Sequence, residues 1–469
     1  IIGWSAVTST SYKYIKTINF LIRKHFGKKV KIILGGNLCA SAELLITKCH
    51  IDVVFIGTSE DSLDSYLKNF DNNIELKKIK GIAFIENDKI IFTGYPEYKK
   101  DLNNSSLIKD FSLIDTDFYM PKISDAANNY YIDNRLKKLS ETKKRMINIM
   151  LIRGCQNSCT FCHRNVLGIQ QRTVDECIKY IEFLRDKFDI YFFRLNSESF
   201  IIKKNWILEF AEKIKKLDVL FDINGARVDC VDEEIIKKLK DAGMIAIDFG
   251  YESGNQKMLN VMAKNVKVLD NLKAAKLAEK FGLTSIPQII VGMPGENIST
   301  LNETLYFLEE LKQEIVSINY AQILPGTSLY YYALYNKLIT DEEQYLLSIN
   351  NANAADEKFF LNCTNYHSSV IKYFVKKMRF IAKISKENFI FRFFKELKFD
   401  SNELKIQIWR LIKKSSSLLE FFSVFSVILF SFGIKINNLR YNHNSKNLRQ
   451  YMREIGPIDD NLTKIKLGL

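Results

Sequence analysis

The stretch Ile147-Asn148-Ile149-Met150-Leu151-Ile152-Arg153-Gly154-Cys155-Gln156-Asn157-Ser158-Cys159-Thr160-Phe161-Cys162-His163 runs an apolar strand pattern straight into three cysteines spaced Cys-x3-Cys-x2-Cys. Three thiolates at that spacing can hold three corners of an iron-sulfur cube and leave the fourth iron free, whereas a cluster with four protein ligands is normally built to pass electrons. Two other uses compete. A zinc site usually wants a fourth Cys or His in paired spacing, and His163, adjacent to Cys162, is badly placed for that. A disulfide framework is disfavoured because eight cysteines in 469 residues are sparse and no secretory signal precedes them. Cys39, Cys49, Cys177, Cys230 and Cys363 fall in helix- or strand-like patterns and read as small buried hydrophobes.

The three cysteines, with the aromatic Phe161 just before the last of them, resemble the radical S-adenosylmethionine (radical SAM) superfamily. The resemblance implies an enzyme in which Cys155, Cys159 and Cys162 ligate a 4Fe-4S cluster as thiolates. The amino and carboxylate groups of S-adenosylmethionine would chelate the open iron, and an electron would cleave the sulfonium to a deoxyadenosyl radical.

Outward from the cysteines the pattern repeats as six strand-helix units. Strands are expected at Ile147–Ile152, Ile190–Leu195, Leu220–Asn224, Ile245–Gly250, Ser285–Val291 and Ser317–Ile323, with amphipathic helices such as Val174–Lys187 and Asp232–Ala242 between them. Six units fit a partial (β/α)6 barrel of TIM type over residues 146–330, whose site should form at the carboxyl ends of the strands. Polar residues cluster there: Asn196-Ser197-Glu198, then Asn224 and Arg227, then Glu252-Ser253-Gly254, then Gly292 to Glu296. At successive strand ends beside a three-Cys loop they suggest a surface for a polar cofactor.

By resemblance, the Phe161 backbone faces the adenine, and Ser197 or Glu198 stands where relatives hold the methionine amino group with Gly-Gly-Glu, although the two glycines are absent. Glu252 takes the place of a residue directed at ribose or substrate; its plainer reading is a cap on the next helix. Ile290-Val291-Gly292-Met293-Pro294-Gly295-Glu296 is similar to the superfamily's Ile-x-Gly-x-x-Glu element, in which Gly292 and Gly295 permit close approach of adenine and Glu296 either contributes or only caps a helix. Arg227 either grips the S-adenosylmethionine carboxylate or pairs with Asp229.

Residues 1–94 alternate strand and helix: strands at Ile1–Val7, Val30–Leu34 and Asp52–Gly57, helices at Tyr12–Phe26 and from about Ser41 and Glu60, and a hairpin over Gly81–Phe92. The alternation predicts a Rossmann-like, doubly wound α/β domain with Ser5 and Gly35-Gly36 at strand ends, where ligands bind. It resembles the cobalamin-binding domain, whose signature is Asp-x-His-x-x-Gly, then Ser-x-Leu, then Gly-Gly. Ser5-Ala6-Val7 and Gly35-Gly36 match the last two parts; the first would lie upstream of Ile1, and the chain reads as an N-terminally incomplete piece. Polar residues 95–145 are expected to be a linker.

The net charge is +14, but Lys, Ile and Asn are abundant throughout, so no nucleic-acid partner is expected. Residues 331–469 carry 22 Lys and Arg against 13 Asp and Glu, a surplus of +9, on a mainly helical region expected to cover the barrel mouth. Leu418 to Ile434 is nearly apolar but short for a span and interrupted by Glu420 and serines, as in a buried or membrane-surface helix. The reading is a cytoplasmic radical SAM enzyme acting on a small molecule or peptide, fed by an electron donor such as flavodoxin or ferredoxin, with cobalamin as the methyl carrier. Cyclisation or rearrangement without methyl transfer is the alternative, and a non-catalytic electron-transfer or redox-sensing cluster, which would need a fourth ligand, is the third. A tRNA methylthiotransferase would show an extra N-terminal cysteine set, which is not seen.

Overall fold

A computed structural model describes residues 1–384 except 8, 71–74, 98–100, 103–106, 108–109, 127–130, 164–165, 167, 312 and 314, with the backbone alone for 380–384. The apolar stretch 418–434 lies outside the described residues.

The N-terminal sheet has five strands in the order of the chain: β1 (Ile2–Ser5), β2 (Ile32–Gly35) and β3 (Val53–Phe55) are parallel, and β4 (Ile82–Glu86) and β5 (Lys89–Phe92) complete it as an antiparallel hairpin. Helices Tyr12–Phe26 and Ala42–Lys48 cover one face, burying Tyr12, Ile15, Leu45 and Ile46 against Ile32, Leu34 and Val54. Helix Glu60–Lys68 covers the other, setting Tyr66 against Phe55 and Phe84. Both faces are therefore buried, as a parallel sheet requires, although the order of the described strands does not reverse.

The second unit opens with β6 (Arg145–Ile149), breaks at Met150-Leu151, and continues as a separate antiparallel hairpin, β7 (Ile152–Cys155) and β8 (Gly168–Gln171). The single strand expected at Ile147–Ile152 is thus two elements, and Cys155 ends the second. Strands β9 (Ile190–Asn196), β10 (Leu220–Ala226), β11 (Met244–Glu252), β12 (Gln288–Val291) and β13 (Ser317–Tyr320) follow, and with β6 they form one six-stranded parallel sheet in chain order. Helices Val174–Phe188, Lys204–Ile214, Glu233–Asp241, Val268–Lys280 and Ile298–Leu311 join them. Their apolar stripes, such as Cys177, Ile181 and Leu184, bury Phe193, Leu195, Phe221, Ile223, Ile247 and Phe249 on the outer face of the curled sheet. Thr173 and Asp232 start two of these helices by accepting the backbone N–H of Glu176 (3.3 Å) and Ile235 (2.9 Å).

Residues 95–145 are more than a linker. Short helices Thr116–Tyr119, Ile123–Ala126 and Asn134–Ser140 fold under the barrel, and Ile123, Tyr131 and Leu136 pack on Met146, Phe192, Leu220 and Ile245, all at the amino ends of the strands. The Tyr131 hydroxyl donates to Asp222 at 2.6 Å, so the floor of the barrel is plugged.

The region after the barrel also departs from expectation. Helix Ser368–Ile384 does not sit over the mouth; Ile371, Phe374, Val375 and Met378 pack on the outer wall beside Ile298–Leu311. Helix Glu342–Ser348 instead docks into the N-terminal unit, where Leu346 and Ile349 join its core and Glu343 accepts from Tyr12 Oη (3.1 Å) and pairs with Lys16. Among the described residues no helix is long and apolar enough to cross a membrane. Leu346 is fully buried at this joint, so Leu346→Ala is expected to cost about 2–5 kcal/mol, read as earlier unfolding of the N-terminal unit in a denaturant titration.

Candidate active site

Gly154 and Thr160 set the position of the three thiols. Gly154 has φ 81°, and a Cβ there would fall 2.2 Å from the Gly168 carbonyl oxygen, so only glycine lets β7 and β8 close beneath the loop. Thr160, fully buried, donates its N–H to Met262 O (2.9 Å) and its hydroxyl to Val261 O (3.2 Å), and accepts the Leu329 N–H (2.9 Å). Phe161 packs against the apolar cluster that includes Met258, Met262 and Met293. The loop is thereby held against two helices on the far side of the barrel mouth, Gln256–Val261 and Ser328–Tyr335.

The thiols sit in a shared electrostatic environment. Burial raises the Cys159 pKa, while the Lys264 and Arg227 charges draw it back. The Cys162 sulfur keeps some solvent access at the mouth, yet the protein mass around it, then Cys159, Glu198 and Cys155, push it up to about 12. Thiols so placed become thiolates only when a cation compensates, which is what iron provides. Among the described residues no group of three or more Cys, His, Asp or Glu side chains is drawn together round one metal-ion position. All eight cysteines are free. Cys230 is closer to the site than its apolar sequence context suggested: burial raises its thiol pKa, with Asp229 and Cys155 adding to the rise, and its Sγ lies 3.9 Å from Asp229.

Arg227 is 6% exposed and spends its fork on Asp229, with Nε and Nη2 each at 2.9 Å, while Nη2 also donates to Lys264 O (2.9 Å). The Asp229 pairing, one of the two roles read from the sequence, is formed. With its amide oxygen turned toward the guanidinium, Asn157 accepts from Nε (3.2 Å) and Nη1 (3.3 Å), which ties Arg227 to the cysteine loop.

Glu252 ends β11 in a left-handed conformation, φ 61°, and its carboxylate meets Lys264 Nζ at 2.7 Å, both side chains buried. A Cβ on Gly250 would sit 2.4 Å from Glu252 Oε1 and 2.9 Å from Lys264 Nζ, so the glycine makes room for the pair. Burial works against the Lys264 charge, but Glu252 and Cys159 outweigh it and its pKa is raised. Glu252 does not cap the following helix; Asn255 does, accepting the Met258 N–H at 3.0 Å. Lys264 was missed in the sequence because nothing in a surface-like Met-Ala-Lys-Asn run marks a lysine that folds back twelve residues onto a strand end.

Ser197 is buried, and its Oγ has no partner among the described residues. Glu198 is exposed and acts electrostatically on Cys162. An orphaned hydroxyl and a carboxylate beside the thiol loop suit the ammonium end of a cofactor.

The Gly292 loop differs from expectation. The space of a Gly292 Cβ is filled by the Phe360 ring at 2.4 Å, and that ring stacks on Tyr320 with centroids 4.6 Å apart. Gly295 alone faces open space. Glu296 is an internal brace: fully enclosed, it accepts the N–H of Gly292 (2.5 Å) and of Met293, and burial pushes its carboxyl up to about 8.

Residues 149–308 match the radical SAM superfamily. The chain is 25% identical over 347 residues to an uncharacterized methyltransferase of Pyrococcus horikoshii, covering 72% of this chain and 70% of that protein. It is also 25% identical to a putative methylthiotransferase of Methanocaldococcus jannaschii, covering 68% and 66%. The radical S-adenosylmethionine methyltransferase TsrM from Kitasatospora setae, solved with cobalamin and a [4Fe-4S] cluster bound, superposes with a TM-score of 0.54 at 13% identity over 68% of this chain and 63% of its own. At that identity the likeness is one of fold, and the chain spans less than two thirds of that protein's length. Residues 149–308 are thus a radical SAM domain, of a superfamily that uses a 4Fe-4S cluster and S-adenosylmethionine.

Two outcomes are expected from this geometry. Replacing Cys155, Cys159 or Cys162 by Ala should abolish cluster assembly, measured as bound iron and sulfide, while Cys230→Ala should retain it; loss in Cys230→Ala would point to a four-ligand cluster. Because the folded chain keeps the Glu296 proton that the unfolded chain releases, the stability this group contributes is full below the ordinary carboxyl range and is lost as pH rises through about 8. The thermal midpoint should therefore fall more between about pH 5 and about pH 9 in the native protein than in Glu296→Gln.

Proposed function

We propose that this chain is a cobalamin-dependent radical SAM enzyme that activates an unreactive C–H bond of a small molecule or peptide and delivers a methyl group to it. The observation that carries the reading is the ion pair between Arg153 and Glu60. Arg153 stands two residues before Cys155, and Glu60 opens the helix after β3, so the carboxyl edge of the N-terminal sheet faces the thiol loop.

That edge suits a large flat ligand. Ser5 and Val7 are exposed, and Gly36 has φ 97° with its Cβ position 2.5 Å from Ala6 O, where no side chain fits. The Asn37 Oδ1 beside it is buried without a partner among the described residues, as if awaiting a donor. Ser5, Gly35 and Gly36 would line the corrin face. The cobalamin in the TsrM structure and the methyltransferase name of the Pyrococcus relative support the same reading.

When bound, the cluster supplies the electron that cleaves S-adenosylmethionine to a deoxyadenosyl radical, and cobalamin supplies the methyl group. The residues of the chain do the positioning. Cys155, Cys159 and Cys162 would hold three irons, and Ser197 and Glu198 would meet the methionine ammonium. Glu252, kept in place by Lys264, would face the ribose or substrate, and the Phe161 backbone and the open side of Gly295 would flank the adenine. The Glu296 brace and the Tyr131 plug keep the loop rigid and close the floor against water. Eight free cysteines accord with a reducing cytoplasm and a flavodoxin- or ferredoxin-type donor.

Anaerobically reconstituted protein given S-adenosylmethionine and dithionite should release deoxyadenosine, and the purified full chain should carry a corrinoid absorption spectrum. Absence of deoxyadenosine from preparations with a full cluster would overturn the reading. Deoxyadenosine without corrinoid binding would remove methyl transfer from it.

A further inference from the structure

The lumen of the barrel is lined in a way that neither packing nor cluster chemistry accounts for. In a filled barrel the inward side chains form buried layers of branched apolar residues. Here the outward residues are buried and apolar, while above the floor the inward positions are mostly polar and several of them are open to water. Asn148 is exposed, and Arg194, Asn196, Asn224, Gln288 and Asn319 are half-buried, one or two from each of five strands. Above the plugged floor, Ile290 is the apolar exception on β12.

Arg194 is the cation in this space. Its Nε donates to Asp222 Oδ2 at 3.0 Å, and among the described residues neither terminal nitrogen has a partner. Asp222, 1% exposed, is already satisfied by Tyr131 (2.6 Å), Arg194 and Asn224 Nδ2 (3.3 Å). Asp248, 8% exposed, accepts the Ile286 N–H at 3.1 Å. What the lumen offers a ligand is therefore the free edge of a guanidinium whose orientation the buried Asp222 has fixed, with the Asp248 carboxylate also acting on its charge. Around it stand carboxamides with unused groups: Asn224 gives its Nδ2 to Asn196 Oδ1 (2.8 Å), leaving the Asn196 amide hydrogens and the Asn224 oxygen free, and Gln288 makes no side-chain hydrogen bond among the described residues.

We infer that the lumen is the substrate site and that it takes a polar, hydrogen-bonding small molecule whose oxyanion, a carboxylate or phosphoryl group, docks on the paired terminal nitrogens of Arg194. This rests on the radical SAM reading and names the substrate class of that site. A planar guanidinium with two free parallel donors matches two oxygens of one anion, and it is more weakly hydrated than an ammonium, so it can give up its water to a ligand. A hydrocarbon-like substrate would leave the amides and the guanidinium desolvated and unpaired, which selects against it.

The test uses the full chain with its cluster reconstituted anaerobically, saturating S-adenosylmethionine and no reductant, so that the cofactor seat is filled and no turnover occurs. Saturation-transfer NMR with succinate, succinamide and methylphosphonate as probes should show saturable binding of an oxyanion. The affinity should fall about ten-fold or more in Arg194→Met and by a smaller factor in Arg194→Lys, which keeps charge but loses the fork. Preference for succinate over methylphosphonate assigns a carboxylate, and the reverse a phosphoryl group. Should Arg194→Met fail to fold because Asp222 loses its partner, Gln288→Glu, which sets a negative charge in the same wall, should weaken oxyanion binding comparably and leave succinamide binding little changed. Equal oxyanion affinity in native protein, Arg194→Met and Gln288→Glu would overturn the inference. So would no saturable oxyanion binding by native protein that still yields deoxyadenosine when reductant is added; failure to yield deoxyadenosine would instead count against the radical SAM reading itself.

Discussion

Backbone hydrogen bonds at Thr160 tie the cysteine loop to the ends of two helices from distant parts of the chain, and the rest of the site is arranged around that tether. Because Thr160 is fully buried and bonded to Val261, Met262 and Leu329, the loop cannot drift from the carboxyl ends of the strands without leaving buried backbone groups unpaired, at about 1–3 kcal/mol each. Cys159 precedes it directly and Cys162 follows two positions on. Gly154 sets the hairpin below, and Arg227 reaches the loop from β10 through Asn157. The charged residues near the thiols, Glu252, Lys264, Arg227 and Asp229, are paired among themselves. The Ser197 Oγ, buried beside them, has no partner among the described residues.

Much of this architecture was legible because it is written locally. Period-2 apolar runs marked the strands, 3.6-residue stripes marked the helices, and the Cys-x3-Cys-x2-Cys spacing located the mouth of the barrel. What could not be read are contacts between residues far apart in sequence. The link that Arg227 makes from Asp229 to Lys264 O and Asn157 has no local signature. Gly292 looked like an approach point, but Phe360, 68 positions later, fills the space above it. Residues 95–145 are polar and Asn-rich, which signals a linker; the buried Ile123, Tyr131 and Leu136 are too few and too widely spaced to announce a plug. Likewise no local pattern distinguishes a helix that docks on the barrel wall, as Ser368–Ile384 does, from one that would cover the mouth.

The two units are fastened at more than one place, and this bears on mechanism. Helix Glu342–Ser348 contributes Leu346 to the N-terminal core and Glu343 to Tyr12 and Lys16, while Arg153 meets Glu60 near the thiols. A joint with apolar burial at one end and an ion pair at the other resists hinge motion between the units. Chemistry that shares two cofactors across that joint would then depend on movement of small groups.

The central claim is that three thiolates leave one iron open as the seat of S-adenosylmethionine. Electron-nuclear double resonance on the reduced cluster, with S-adenosylmethionine carrying nitrogen-15 in its amino group, tests it most directly. The account predicts a changed cluster spectrum on addition of the cofactor and a resolved nitrogen-15 coupling from direct coordination. An unchanged spectrum with no coupling, in protein that holds its full complement of iron, would contradict it.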